Sequence, residues 1–170
     1  MNLSRRSLWI VALLFAAAVA AGAWFLTRDR DEARIRAVVA EFTERLSKSP
    51  TEAPGIALAK IGGMEKLFAP QVEFDFPREK FHRTLEAREI SAKAGTYRNF
   101  FGEAKFRVSD LAFLSRDSKR AVVEGMGLLN GRLAGRGEAV EDSREIEMEF
   151  VRIDGQWKIR RITVREVLQK

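Results

Sequence analysis

The sequence predicts an α+β domain in which three helices pack against an antiparallel sheet, with one transmembrane helix in front of the domain. Residues 145–164 give the strongest signal, because two runs of alternating apolar and polar residues meet at Asp154-Gly155, a dipeptide that favours a tight hairpin turn. Most candidate helices precede the strand-rich region, and this segregation of elements is typical of α+β proteins. A chain of 170 residues with 46% hydrophobic residues is sufficient for one globular domain of ordinary size.

The segment from Leu8 to Leu26 contains 19 uncharged residues, almost all apolar, which is close to the roughly 20 that a helix needs to cross a membrane. Trp9 and Trp24 lie near its ends, where indole rings favour the membrane interface. Ala21-Gly22-Ala23 also matches the small-residue pattern of a signal peptidase site, so a cleaved signal peptide is the alternative. The apolar run exceeds the roughly 7–15 residues of a signal core, which favours a membrane anchor.

Arg5 and Arg6 precede the apolar segment and favour a cytoplasmic N-terminus. We therefore predict that residues 1–28 form the anchor and residues 29–170 form the globular domain. That domain would lie on the periplasmic or extracellular side of the cytoplasmic membrane. Secretion after signal cleavage is the alternative.

Three helices are predicted after the anchor. Residues 29–46 place apolar side chains at spacings of three and four, which indicates an amphipathic helix. Residues 56–69 predict a second, shorter helix that ends at Pro70. Thr84 is the expected cap of a third helix, which runs to about Phe101 and contains Tyr97.

Five strands are predicted. Residues 71–76 alternate cleanly, with Phe74 and Phe76 on one face and Asp75 on the other. Residues 105–114, 120–129, 136–153 and 156–167 supply the remaining strands, and residues 78–83 are expected to form a polar connection.

The last hairpin defines a mostly apolar face when its residues are paired outward from the turn. The predicted pairs on that face are Arg152 with Trp157, Phe150 with Ile159, Met148 with Arg161, and Ile146 with Thr163. A charge on a core-facing row needs a partner or a ligand. Two interpretations of the arginines stay open: Arg152 lies over Trp157 while Arg161 pairs with an acidic residue of the helices, or Arg161 anchors an anionic small molecule.

Several classes of function are excluded or disfavoured. The chain has no cysteine, which excludes disulfides, thiolate metal sites and cysteine nucleophiles. The net charge of +6 falls to +3 beyond residue 30, with no basic block interleaved with aromatics, so we expect no nucleic-acid binding. His82 is the only histidine, which argues against a metal site. No cofactor is expected.

Four pieces of sequence carry a family resemblance: residues 67–74 (LFAPQVEF), 88–90 (REI), 118–124 (SKRAVVE) and 153–162 (IDGQWKIRRI). Their order and spacing resemble the nuclear transport factor 2-like superfamily, whose members are also described as cystatin-like or SnoaL-like. The resemblance implies a strongly curved antiparallel sheet wrapped around three helices, forming a cone with an apolar pocket. It implies no single activity, because the superfamily contains isomerases, dehydratases and non-catalytic scaffolds.

The catalytic residues that the resemblance implies are incomplete in this chain. Steroid-isomerase-like members place an aspartate directly before a proline at the end of the first strand, but here Phe76 precedes Pro77. Asp75 is one residue early, which turns it to the other face of the strand. These enzymes also need an oxyanion donor, and the only tyrosine is Tyr97. The sequence therefore argues against an enzyme.

We predict a membrane-tethered, non-catalytic binding or assembly module with an apolar pocket. The alternative is a small-molecule isomerase or dehydratase that uses Asp75 and His82 as an acid–base pair. The expected partners are the lipid bilayer, a small apolar or anionic ligand, and a second copy or another membrane-complex protein. The predicted pocket residues are Arg161, Arg152, Trp157, Phe150, Met148, Ile159 and Tyr97.

Overall fold

The computed structural model describes residues 29–166. The chain divides into two units between Ile35 and Arg36; residues 29–35, at the start of the first helix, belong to the first unit, and the other features below belong to the second. The predicted transmembrane segment from Leu8 to Leu26 lies outside the described residues. Within residues 29–166, no helix is long and apolar enough to span a membrane.

Three α-helices are present in the described part of the chain. Helix α1 covers residues 29–46, as predicted. Helix α2 is Pro54–Met64, with its proline in the first turn, where a missing N–H is tolerated. A single 3₁₀ turn, Glu65–Leu67, follows it. Helix α3 is Ala87–Asn99.

The start of α3 differs from the prediction. Thr84 is not the cap, because the backbone N–H of Glu86 bonds to the Glu89 side chain at 3.0 Å and the Glu86 side chain accepts a bond in return. This reciprocal capping box satisfies two N–H groups that the helix leaves unpaired. The sequence Glu86-x-x-Glu89 was the signal for it.

Six strands form one mixed sheet in the order β2-β1-β6-β5-β4-β3. Their bounds are Phe68–Phe76 (β1), Phe81–Glu86 (β2), Phe101–Arg116 (β3), Arg120–Leu133 (β4), Ala139–Ile153 (β5) and Gln156–Glu166 (β6). Strands β3 to β6 pair antiparallel, as do β1 and β2. Strand β1 runs parallel to β6. The prediction of a wholly antiparallel sheet was therefore wrong.

Strand β2 occupies residues 81–83, which were predicted to be a polar connection, and residues 84–86, which were predicted to begin the third helix. Phe81 pairs with Phe76, and Leu85 pairs with Val72. Phe81 and Leu85 are four residues apart on one face of the strand, but the exposed Arg83 lies between them on that face and interrupts the period-2 pattern. Pro70 lies inside β1 rather than ending a helix. It lies near a register shift between β1 and β6, where a missing donor is tolerated.

The hairpin between β5 and β6 turns where predicted. Asp154 and Gly155 both have positive φ angles, 49° and 76°, as the favoured two-residue hairpin turn requires. The predicted pairs Arg152 with Trp157 and Phe150 with Ile159 are present.

Beyond these pairs the predicted register is wrong. Between Phe150 and Glu149 the pairing shifts by one residue, because β6 holds one extra residue in a β-bulge. Met148 therefore pairs with Ile162, whereas Arg161 pairs with Glu149. The bulge moves Arg161 and Thr163 to the face opposite the helices, called the outer face below; the helix-facing side is the inner face.

The link between α1 and α2 is held by a buried charged cluster, defined here as Glu52, Lys60 and Arg98. Arg98 is 2% exposed, and it donates to the backbone oxygens of Arg45 and Ser47 and to the Glu52 carboxylate. The Lys60 ammonium lies 3.0 Å from the same carboxylate. The cluster therefore joins α3 to the end of α1 and to α2.

Candidate ligand cavity

The inner face of the sheet and the helices border a cavity of about 370 Å³. Ligand sites of proteins usually occupy roughly 300–1,000 Å³ and have mainly apolar walls. The lining residues are Phe42, Leu46, Met64, Phe74, Phe76, Phe81, Leu85, Ile90, Lys93, Ala94, Tyr97 and Phe106. Ten of these twelve side chains are apolar, and five are phenylalanines.

Helix α3 supplies both polar groups of the lining. Lys93 and Tyr97 are four residues apart, which puts them on one face of the helix. The Tyr97 ring is held between Phe101 and Phe106, with ring centroids at 5.0 and 6.0 Å. Ring packing therefore fixes the position of the Tyr97 hydroxyl, whereas Lys93 is exposed and reaches the cavity from solvent.

Burial raises the pKa of Tyr97 to about 12, and the negative charge of Asp142 adds to the effect. The phenol therefore keeps its proton at neutral pH. In this state Tyr97 can donate a hydrogen bond to a ligand oxygen or to a negative charge that develops during a reaction.

Three charged residues lie close together: Asp142 and Arg144 on β5, and Glu79 in the turn between β1 and β2. Arg144 Nε donates to both carboxylate oxygens of Asp142, at 3.0 and 3.1 Å. Arg144 Nη1 lies 3.7 Å from Glu79 Oε1. The carboxylate that acts on Tyr97 is therefore paired with an arginine.

Of the predicted pocket residues, only Tyr97 lines this cavity. Trp157, Phe150, Met148 and Ile159 are buried at 4% exposure or less and form part of the packed core. Arg152 lies over the ring of Trp157 at 5.8 Å from its centroid, which confirms the part of the first interpretation that concerns Arg152.

Arg161 lies on the outer face and not on the cavity side. Its Nε donates to Glu73 Oε2 at 2.6 Å, and its Nη1 lies 3.8 Å from Glu149 Oε2. The hydrogen bond from Arg161 to Glu73 raises the pKa of the guanidinium. The arginine thus pairs with acidic residues of the neighbouring strands, and not with the helices.

Asp75 and His82 pair directly across β1 and β2, with His82 Nδ1 at 3.7 Å from Asp75 Oδ1. Their side chains are 39% and 69% exposed. Because Phe74 and Phe76 on either side of Asp75 line the cavity, alternation turns Asp75 to the outer face. The structure therefore brings the proposed acid–base pair together, but outside the cavity.

The sequence pointed to the wrong hairpin for the cavity wall. The sheet side of the wall comes mainly from Phe74, Phe76, Phe81 and Leu85 of β1 and β2, with Phe106 of β3. The sequence showed Phe74 and Phe76 at alternate positions of β1, but β2, the strand that completes this wall, was not predicted. Lys93 carried no signal beyond its spacing to Tyr97.

No family model matches this chain, and no curated protein matches it. Solved structures do. A nuclear transport factor 2-like protein with a cystatin-like fold from Novosphingobium aromaticivorans superposes with a TM-score of 0.66 at 14% identity, covering 87% of this chain and 89% of that protein. The fold is nuclear transport factor 2-like.

Two further structures of this fold have names that denote enzymes. A scytalone dehydratase-like protein from Novosphingobium aromaticivorans matches with a TM-score of 0.68 at 17% identity, covering 84% of this chain and 87% of that one. A hexachlorocyclohexane dehydrochlorinase from Novosphingobium barchaimii matches with a TM-score of 0.66 at 15% identity, covering 82% and 88%. At these identities the similarity establishes the fold.

Proposed function

We propose that the domain binds an apolar small molecule in the cavity between α3 and the β1–β2 hairpin. The observation that carries the proposal is the wall itself, in which five phenylalanines and five other apolar side chains surround two polar groups. A concave apolar site with a few convergent polar groups is the usual form of a small-molecule site.

The test compares two identical substitutions on α3. Ala94 lines the cavity and is 7% exposed, whereas Ala92 is exposed. Calorimetric titration of the full-length protein with methyl naphthyl ketone should show binding, which Ala94→Leu weakens by about tenfold because the added side chain occupies the cavity. Ala92→Leu should leave it unchanged. No binding, or equal binding by both variants, would contradict the proposal.

A second proposal is that the domain acts on the bound molecule as an isomerase or dehydratase-type enzyme. The dehydratase-like and dehydrochlorinase neighbours favour this over an assembly role. Elimination needs a base that accepts a proton from carbon and a group that stabilises departing charge. Tyr97 can supply the second, and Asp142, a carboxylate whose charge acts on Tyr97, is the candidate for the first, although it does not itself line the cavity.

Two assays test this second proposal. One measures chloride release from hexachlorocyclohexane, and the other measures dehydration of hydroxylated aromatic substrates. Any activity should be lost in Asp142→Asn and Tyr97→Phe and kept in Asp75→Asn and His82→Ala. The reverse result would assign the chemistry to the outer-face pair. No turnover in the protein without substitutions would leave binding as the function.

Membrane attachment through the segment from Leu8 to Leu26 is a further proposal, supported by the sequence alone. The full-length protein should remain with membranes through carbonate washing, because burial of apolar side chains rather than charge would hold it. A shortened soluble product that begins near Trp24 would indicate a cleaved signal instead. The periplasmic location and a protein partner or second copy are proposals of the same kind.

A further inference from the structure

We propose that the ligand of this cavity is a monocarboxylic acid with an apolar body, and that its carboxylate lies between the ammonium group of Lys93 and the hydroxyl of Tyr97. This inference rests on the proposed binding function and adds the chemical class of the ligand. It replaces the anion site first expected at Arg161, which the bulge in β6 places on the outer face.

The first support is position. Lys93 and Tyr97 lie one helical turn apart on α3, and both border the cavity. Among the residues that the structure describes, they are the only polar side chains of the lining. A ligand whose body contacts the phenylalanines therefore meets both groups at the same end.

The second support is the hydrogen-bonding state of the two groups. Within residues 29–166, neither the Lys93 ammonium nor the Tyr97 hydroxyl makes a hydrogen bond or an ion pair with the protein. A partly buried tyrosine hydroxyl usually has a partner. Both groups are donors, and the two oxygens of a carboxylate accept from both at once.

The third support is the balance of charge and size. One ammonium at the cavity matches a single negative charge, and Arg144 holds the nearby Asp142 carboxylate through two hydrogen bonds, which limits its repulsion of an anion. The cavity of about 370 Å³ is more than twice the roughly 150 Å³ that accommodates one benzene. A two-ring aromatic acid or a medium-chain fatty acid fits this space.

The test uses pairs of compounds that differ in charge but hardly in shape: naphthoate against methyl naphthyl ketone, and decanoate against its methyl ketone. Affinities are measured by calorimetric titration of the full-length protein at neutral pH. The carboxylate of at least one pair should bind about tenfold more tightly than its ketone, as expected for a charge-assisted hydrogen bond with a partly exposed ion pair.

Three variants assign the preference to its residues. Lys93→Met keeps the length of the side chain and should remove most of the preference, because it should weaken carboxylate binding far more than ketone binding. Arg88→Met removes the same charge from an exposed position on α3 that does not line the cavity, and should keep the preference. Tyr97→Phe should weaken both members of a pair, because the hydroxyl can donate to either oxygen.

The outcomes separate the two proposals. If carboxylate and ketone bind equally, or if Lys93→Met keeps the preference, the inference on ligand class is overturned and the binding function stands. If no compound binds, the binding function itself fails.

Discussion

Arg98→Met should destabilise the domain by about 3 kcal/mol, because it removes one member of the buried charged cluster. Arg98 is 2% exposed and holds Glu52 together with two backbone oxygens at the end of α1. Breaking a buried ion pair by removing one partner costs roughly 3–5 kcal/mol. The lower end is expected here, since the Lys60 ammonium remains 3.0 Å from Glu52.

Urea denaturation of the full-length protein measures this loss as a lower midpoint with an unchanged slope. Arg88→Met, on the same helix but exposed, is the matched control and should change the free energy of unfolding by less than about 0.5 kcal/mol. A double variant with Glu52→Gln should cost less than the sum of the two single losses, because the residues share one interaction. If Arg98→Met costs no more than Arg88→Met, the cluster does not hold α3 against α1 and α2.

Three further outcomes follow from the structure. Burial raises the pKa of Glu52, but hydrogen bonds from Lys60 and Arg98 outweigh it and keep the pKa below its usual value. The resulting stability is present above the unfolded-state pKa and is lost as pH falls through the lowered folded-state pKa. Below about pH 4.5, the melting temperature should therefore fall less steeply with pH in Glu52→Gln than in the protein without substitutions. Trp157→Ala should cost about 3–5 kcal/mol in thermal unfolding, the usual range for a buried aromatic, and an unchanged melting temperature would place the ring outside the core. A Cβ at Gly131 would lie 2.7 Å from the Glu103 backbone oxygen, but one at Gly102 would have its nearest neighbour at 3.8 Å. Gly131→Ala should therefore cost about 1–3 kcal/mol and more than Gly102→Ala, and equal losses would contradict the close approach.

The sequence could predict the elements whose signal is local. The dipeptide Asp154-Gly155 predicts a hairpin turn, and both residues have the positive φ angles that this turn needs. The spacing of apolar residues in 29–46 predicts a helix, which the structure contains. Strand β2 was missed because Phe81 and Leu85 are too few to dominate a charged segment. The parallel pairing of β1 with β6 depends on residues far apart in the chain, and neither strand encodes it alone.

The cavity could be predicted only in outline. An apolar pocket was expected from the family resemblance, but its wall was assigned to the last hairpin because the register was continued through a bulge. The spacing of Ile159 and Ile162 contained the missing signal: two buried residues three apart in one strand are incompatible with uninterrupted alternation and indicate an inserted residue. With that residue included, Arg161 turns outward toward Glu73.

The parallel contact between β1 and β6 also imposes an order on folding. Glu73 and Arg161 are 88 residues apart, so β1 can pair with β6 only after this last strand of the sheet has been synthesised, although β2 follows β1 directly. At roughly 5–20 residues per second, about 4–18 s of synthesis separate the two strands. During that interval one edge of β1 lacks its partner, and an unpaired edge is prone to associate with other chains. Strands β3 to β6 pair with sequence neighbours and can form first, so the chain must protect its earliest strand the longest.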